Sequence, residues 1–202
     1  DDEIRTLLEK TEVIIVPIVN PDGYEFTYAP GGNRFWRKNR RNNSGSCEGV
    51  DLNRNWGYDW NGGDGTSNDT CSDVYVGPGV FSEPETQAMR DLVNQLPNLV
   101  AHIDFHSYSQ LVLEPWASSN NTPPRENIVK ALSGKISDAI ASIHGETYVA
   151  GTGGDLLYLA DGVFPDWVTN MGALSYTIEL RPTGSPGFDL PPEQILPTCE
   201  ES

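Results

Sequence analysis

The sequence predicts an α/β domain built on a mixed, mostly parallel sheet with helices on both faces. Three features lead there. Glu12–Val19 is a nearly continuous β-branched run, Ser175–Leu180 is a second core strand, and between them lies a long amphipathic helix. The apolar stripe of that helix runs through Ile128, Leu132, Ile136, Ile140 and Ile143. Strand-length apolar runs alternating with helical patterns are what crossover-connected strands look like in one dimension.

In chain order, Asp1–Lys10 reads as the end of an acidic helix with Ile4, Leu7 and Leu8 on one face. Glu12–Val19 follows as a buried strand of the parallel kind, and Asn20-Pro21-Asp22-Gly23 reads as a turn. From there to about Val80 the chain is dense in Gly, Asn, Asp and Arg without periodicity. So long an irregular stretch in a compact domain points to function. A helix is expected at Glu83–Gln95, with Ser82 and Glu85 as a capping box and Pro84 in the first turn. Leu99–Phe105 and Gln110–Glu114 are short strands, and Thr122-Pro123 opens the long helix, which runs to His144 and ends at Gly145. Val149–Gly154 is a strand, Asp155–Ala160 a helical turn, and Pro191–Ser202 the start of a last helix. In such folds ligands sit beyond the C-terminal ends of the strands, which places Asn20, His106 and Glu179 on one rim.

Composition narrows the function. The chain has 202 residues and a net charge of −16, so a phosphate backbone is repelled and nucleic acid is excluded as a partner. No apolar run approaches the ~20 residues of a membrane span. Against the acidic background, Arg34, Arg37, Lys38, Arg40 and Arg41 cluster around Phe35 and Trp36, as in a packed anion pocket or a solvated basic loop. Of three cysteines, Cys47 and Cys71 flank the irregular loop. As a bridge they would stabilise by roughly 3 kcal/mol and mark an oxidising compartment; on spacing alone, two free thiols remain the alternative.

The chemistry-bearing residues are few. Among the three histidines, His144 ends a helix and His102 lies inside a strand, whereas His106 sits where a strand stops. Glu179 ends an apolar strand, where a carboxylate is costly unless paired or used as a base. Arg181 is the nearest pairing partner in sequence. Asp51-Leu52-Asn53-Arg54-Asn55-Trp56 sets a guanidinium fork among amide donors, which suits either two-pronged recognition of a carboxylate or a loop-stabilising network.

Taken together, these segments resemble the zinc carboxypeptidases of the pancreatic carboxypeptidase A type, the M14 family. The resemblance runs in order through Asn20-Pro21-Asp22-Gly23-Tyr24, Arg34-Phe35-Trp36-Arg37-Lys38-Asn39-Arg40 and Gly49–Trp56. It continues through Phe81–Glu85, His106-Ser107-Tyr108-Ser109-Gln110 and Glu179-Leu180-Arg181-Pro182-Thr183-Gly184. It implies His106 as a Zn2+ ligand, Glu179 as the general base and Arg37 as the oxyanion partner. Asn53 and Arg54 become the grip on a substrate's free C-terminal carboxylate, Tyr158 a mobile tyrosine, Ser107 and Tyr108 the cleft before the scissile bond, and Cys47–Cys71 a disulfide. The family's other two zinc ligands form an H-x-x-E motif, which does not occur here. The resemblance therefore implies that residues 1–202 form a partial catalytic domain, with the N-terminal part missing and little activity of its own. The implied protein is a secreted, monomeric metalloprotease acting on peptide and protein C-termini. The alternative is a catalytically silent peptide-binding relative. The wall of the specificity pocket is expected at Tyr158–Trp167, with Val163, Phe164 and Pro165 favouring hydrophobic or aromatic C-terminal residues; Asp155 or Asp161, if turned inward, would favour Lys or Arg.

Overall fold

The computed structural model describes residues 2–202. Helix α1 (Asp2–Lys10) and α2 (Pro21–Phe26) precede a long irregular segment that contains one 3-10 turn, Leu52–Arg54. Then come α3 (Pro84–Asn94), β1 (Ala101–Ser107), β2 (Leu111–Glu114), α4 (Glu126–His144), β3 (Val149–Thr152), α5 (Gly153–Leu156), α6 (Phe164–Asn170) and β4 (Leu174–Leu180). A 3-10 turn at Pro192–Gln194 leads into α7 (Ile195–Glu201).

The four strands form one sheet in the order β1-β4-β2-β3. β1 is parallel to β4 and β2 to β3, while β2 runs antiparallel to β4. The mixed, mostly parallel sheet expected from the sequence is thus present. On one face α4 closes a core of Val112, Val129, Ile140, Tyr148, Tyr176 and Ile178. The second core packs Trp56, Val93, Phe164, Trp167, Val168 and Ala173, drawn mainly from α3, α6 and the irregular segment. Because side chains alternate along a strand, β4 gives Tyr176 and Ile178 to α4 and turns Ser175, Thr177 and Glu179 to the opposite face.

Several local expectations are corrected. Glu12–Val19 forms no strand among the described residues: it has no ladder partner, and Ile15 is 78% exposed. A β-branched run specifies extended backbone, yet a strand also needs a hydrogen-bonded neighbour. Asn20 opens a helix, not a turn; its Oδ1 accepts from the N–H of Gly23 at 3.0 Å, a side-chain cap with proline at the first helical position. The Ser82–Glu85 capping box does not form, because Ser82 Oγ donates to Glu83 and Glu85 accepts from Asn39, leaving Glu83 as an uncapped N-cap. The turn expected at Asp155–Ala160 begins earlier, with Thr152 Oγ1 capping Asp155. The helix expected from Asp1 spans Asp2–Lys10, Asp1 lying outside the described residues. Gly145 does end α4, at φ 81°, where a Cβ would be strained.

Side-chain amides take the place of regular structure in the irregular segment. Asn55 Nδ2 donates to Val76 O, Gly79 O and Ser82 Oγ, and its Oδ1 accepts from Thr86 Oγ1. Buried Asn39 donates to Glu83 and Glu85 and accepts from the N–H of Val50. Cys47 and Cys71 are bridged across a separation of 24 residues, a closure on the order of 3 kcal/mol in the loop-entropy account.

Candidate active site

The parallel pairing of β1 with β4 sets His106 directly beside Glu179 at the C-terminal ends of both strands. Asp104, two residues before His106 and on the same face of β1, accepts from the ring: its Oδ2 lies 2.9 Å from His106 Nε2. Burial alone would lower the pKa of His106, but the Asp104 carboxylate outweighs it and Glu179 adds to the effect, so the ring is held up to about 9. Asp104 is correspondingly below the usual carboxylate range: burial pushes upward, and the charge and hydrogen bond of His106 prevail. Glu179 is raised, because burial outweighs the stabilising charges of His106 and Arg37. Its Oε2 is buried with no hydrogen-bond partner among the described residues. An unpartnered buried carboxylate oxygen is costly to fold around and suits a group whose partner is a reacting molecule.

Asp51 organises the opposite wall. Its Oδ2 accepts from Arg37 Nε at 3.0 Å and Nη2 at 2.8 Å, while its Oδ1 caps the 3-10 turn at the N–H of Asn53. That turn presents Asn53 and Arg54. Asn53 Oδ1 accepts from the N–H of Phe164 at 3.0 Å, which fixes the amide and leaves Nδ2 without a protein acceptor among the described residues. Arg54 is buried; Nε donates to Gly65 O at 2.7 Å, Nη1 to Asn53 O at 2.6 Å and Nη2 to Tyr158 Oη at 3.2 Å. A guanidinium carries five N–H donors, so one on each Nη remains uncommitted. The loop-network reading of Arg54 and the carboxylate-fork reading are therefore both compatible with the geometry.

These residues surround one cavity of about 270 Å³. Arg37, Asn53, Arg54, His106, Ser107, Tyr108, Tyr158 and Glu179 all line it, joined by Leu113, Ala117, Gly153, Leu157, Ala160, Val163 and Pro165 on its apolar side. Asp166 also borders it, but its carboxylate is buried and accepts from the N–H groups of Ala117 and Ser118 at 2.9–3.1 Å.

The donor set fits a metal only in part. His106 keeps Nδ1 for an ion, with Nε2 held by a carboxylate in the manner common to metal-bound histidines. A catalytic zinc takes three protein ligands, and among the described residues no group of three His, Cys, Asp or Glu side chains is arranged to hold one.

The zinc carboxypeptidase family model, peptidase M14, matches residues 1–202. The chain belongs to the zinc carboxypeptidase family. It is 41% identical to a metallocarboxypeptidase A-like protein of Trichophyton verrucosum, over 97% of this chain and 47% of that protein. It is 40% identical to carboxypeptidase A2 of Mus musculus, over 100% of this chain and 48% of that protein. Among solved structures, bovine thrombin-activatable fibrinolysis inhibitor in complex with tick carboxypeptidase inhibitor superposes with a TM-score of 0.86 at 38% identity, over 92% of this chain and 63% of that chain. Carboxypeptidase A from Helicoverpa armigera gives 0.83 at 32%, over 92% and 48%. The chain spans about half the length of most of these zinc carboxypeptidases.

Within this zinc carboxypeptidase chain, the structure gathers every candidate catalytic, metal and substrate residue read from the sequence around the one cavity, and forms the Cys47–Cys71 bridge. Four expectations fail. Asn20 is absent from the cavity lining; its Nδ2 instead donates to the backbone oxygen of Lys38. Phe164 leaves the pocket wall for the core, stacked on Trp56 with ring centroids 3.8 Å apart. Asp155 and Asp161 are also absent from the lining: the first is tied to Thr152, the second to the N–H of Asp64. Glu179 pairs with no arginine among the described residues, since Arg181 turns away to Glu201 and Gln194. Asp104 went unread in the sequence, although it was signalled by the period of two that sets it on the same strand face as His106; Asp51 was read only as part of the Asp51–Trp56 segment, without its role in holding Arg37 and Asn53. Phe188, edge-on to Tyr108 at 4.8 Å, carried no signal.

Proposed function

We propose that this chain carries the substrate-binding and acid–base half of a metallocarboxypeptidase that hydrolyses the C-terminal peptide bond of peptides and proteins. The observation behind it is one cavity holding a buried, unpartnered carboxylate oxygen on Glu179 opposite a fixed Asn53–Arg54 donor pair. In this reading Asn53 Nδ2 and the two spare Arg54 donors take the substrate's terminal carboxylate by charge-assisted hydrogen bonds. Tyr158, tied to Arg54 through its hydroxyl and half exposed, covers that end. Glu179 accepts the proton of the attacking water, its raised pKa making it a better base than an ordinary carboxylate. Arg37, with three N–H donors beyond those given to Asp51, meets the charge that grows on the carbonyl oxygen. Zinc would bind His106 together with ligands from sequence outside this chain, and would contribute Lewis acidity.

The side chain of the departing residue enters the apolar side of the cavity. Leu113, Leu157, Val163 and Pro165 favour a hydrophobic or aromatic residue; of the lining carboxylates besides Glu179, Asp166 is occupied by two backbone amides and Glu114 accepts from Ser133 Oγ. Secretion accords with the Cys47–Cys71 bridge, and no helix among the described residues is long and apolar enough to cross a membrane. The test is hydrolysis of blocked dipeptides ending in free Phe or Leu by the full-length protein, before and after zinc chelation and after zinc is restored. Cleavage that stops on chelation and returns with zinc is expected; cleavage that survives complete metal removal would contradict the reading.

A further inference from the structure

Three asparagines in this chain begin the pattern Asn-X-Ser/Thr: Asn42-Asn43-Ser44, Asn68-Asp69-Thr70 and Asn120-Asn121-Thr122. The pattern is the acceptor for N-linked glycans when it lies on an accessible loop of a protein that enters the secretory route. All three asparagines are exposed and outside any helix or strand of the sheet, and the Cys47–Cys71 bridge independently places the chain in an oxidising compartment.

The three sites differ in what surrounds them. Asn42 lies just outside the disulfide loop, shortly before Cys47, and Asn68 just inside it, shortly before Cys71. Asn42 Oδ1 accepts from the N–H of Ser44 at 2.8 Å, which folds the acceptor toward its own hydroxyl residue and leaves Nδ2 uncommitted among the described residues. Its neighbour Asn43 shows the contrast, with Nδ2 donating inward to Gly49 O at 3.0 Å. Asn68 Nδ2 reaches only the exposed side chain of Asn61. Asn120 is followed, directly after its hydroxyl residue, by Pro123. Proline drives the preceding Thr122 toward extended backbone and resists the bend that brings the hydroxyl back to the amide.

We propose that Asn42 and Asn68 are N-glycosylation sites that flank the bridge, and that Asn120 remains essentially bare. In the transfer, Asn Nδ2 forms a bond to the anomeric carbon of an oligosaccharide carried on a lipid diphosphate. The bond from that carbon to the diphosphate oxygen breaks, the lipid diphosphate leaves with the electron pair, and the amide nitrogen gives up one proton. No oxidation or reduction is involved. The two glycans would sit on the irregular segment that carries Asp51, Asn53 and Arg54, at asparagines that are not part of the cavity lining.

The experiment takes full-length protein from the culture medium of a eukaryotic host. Peptide mapping follows release of glycans by an amidase in heavy-oxygen water, which converts each occupied Asn to a labelled Asp. Label at residues 42 and 68, with residue 120 unlabelled, is the expected result. Asn42→Gln and Asn68→Gln should each remove one glycan's mass. Secreted protein that is unlabelled at residue 42 or 68, or labelled at residue 120 as fully as at the other two, overturns the proposal. The readout does not depend on catalysis, so it stands or falls separately from the peptidase reading.

Discussion

Replacing Arg54 separates carboxylate recognition from loop structure. Three of its five donors hold Gly65 O, Asn53 O and Tyr158 Oη, and two remain for a ligand. Arg54→Ala therefore has two consequences. Loss of the buried bond to Gly65 O leaves an unsatisfied carbonyl, costing about 1–3 kcal/mol of stability. Loss of the charge-assisted contact to a substrate carboxylate in a desolvated pocket costs on the order of 2–5 kcal/mol of binding. The second term lowers kcat/KM on free-acid peptides by roughly one and a half to three and a half decades at about 1.4 kcal/mol per decade. Arg54→Lys keeps a charge but not the fork, so it should recover stability better than activity. The assay is a matrix of free-acid and C-terminally amidated peptides against the wild type and both variants, with thermal midpoints measured in parallel. Amidated peptides should be poor for the wild type and hardly worse for the variants. If Arg54→Ala lowers both substrate classes by the same factor, Arg54 is only a loop support and the carboxylate reading is refuted.

Other consequences are equally direct. Gly153 and Ala117 both line the cavity, and a Cβ at Gly153 would lie 3.1 Å from Ala117 Cβ, so Gly153→Leu should narrow it. Overpacking of about 1–3 kcal/mol should lower kcat/KM for C-terminal Phe by roughly five- to 150-fold and spare C-terminal Ala, as a panel of dipeptides would reveal. Asp166→Ala should destabilise the full-length fold by about 1–3 kcal/mol for each of the two backbone amides it orphans, read as denaturant midpoint. Asp166 in the folded state is raised above its ordinary value, mainly by burial. The unfolded chain therefore loses its proton first as pH rises, and the ionised carboxylate costs stability above the ordinary carboxylate range. Asp166→Asn, which keeps an acceptor for those amides, should accordingly gain on the wild type as pH is raised from acid to neutral in paired denaturant titrations.

Much of the fold was legible because periodicity reports burial. The stripe on α4 and the run at β4 gave element type, and Gly145 gave the helix end; the buried face of α4 was read only in part, since Leu132, Ile136 and Ile140 pack on the core while Ile128 and Ile143 are exposed and Val129 takes the buried place. Glu12–Val19 misled because composition specifies extended backbone but not the neighbour that makes it a strand. The pocket wall was half legible for a related reason. The sequence at 158–167 marked the segment, yet only the Trp56 stack decides that Phe164 turns into the core while Val163 and Pro165 face the cavity. Leu113, Ala117 and Gly153 reach the same cavity from elsewhere in the chain, and no local pattern announces such convergence. Asp51 lay inside the most unusual segment of the sequence; its part in aligning Arg37 with Asn53 became visible only as hydrogen bonds.

The central claim is that Glu179 is the base of this cavity, and Glu179→Gln in the full-length protein tests it most directly. The amide keeps the size of the side chain but cannot take the proton of the attacking water. The account predicts that kcat on a free-acid peptide collapses while KM and inhibitor binding stay close to wild type, the signature of an interaction lost in the transition state. A variant that retains more than about a tenth of wild-type kcat, a barrier change under ~1.4 kcal/mol, would contradict it.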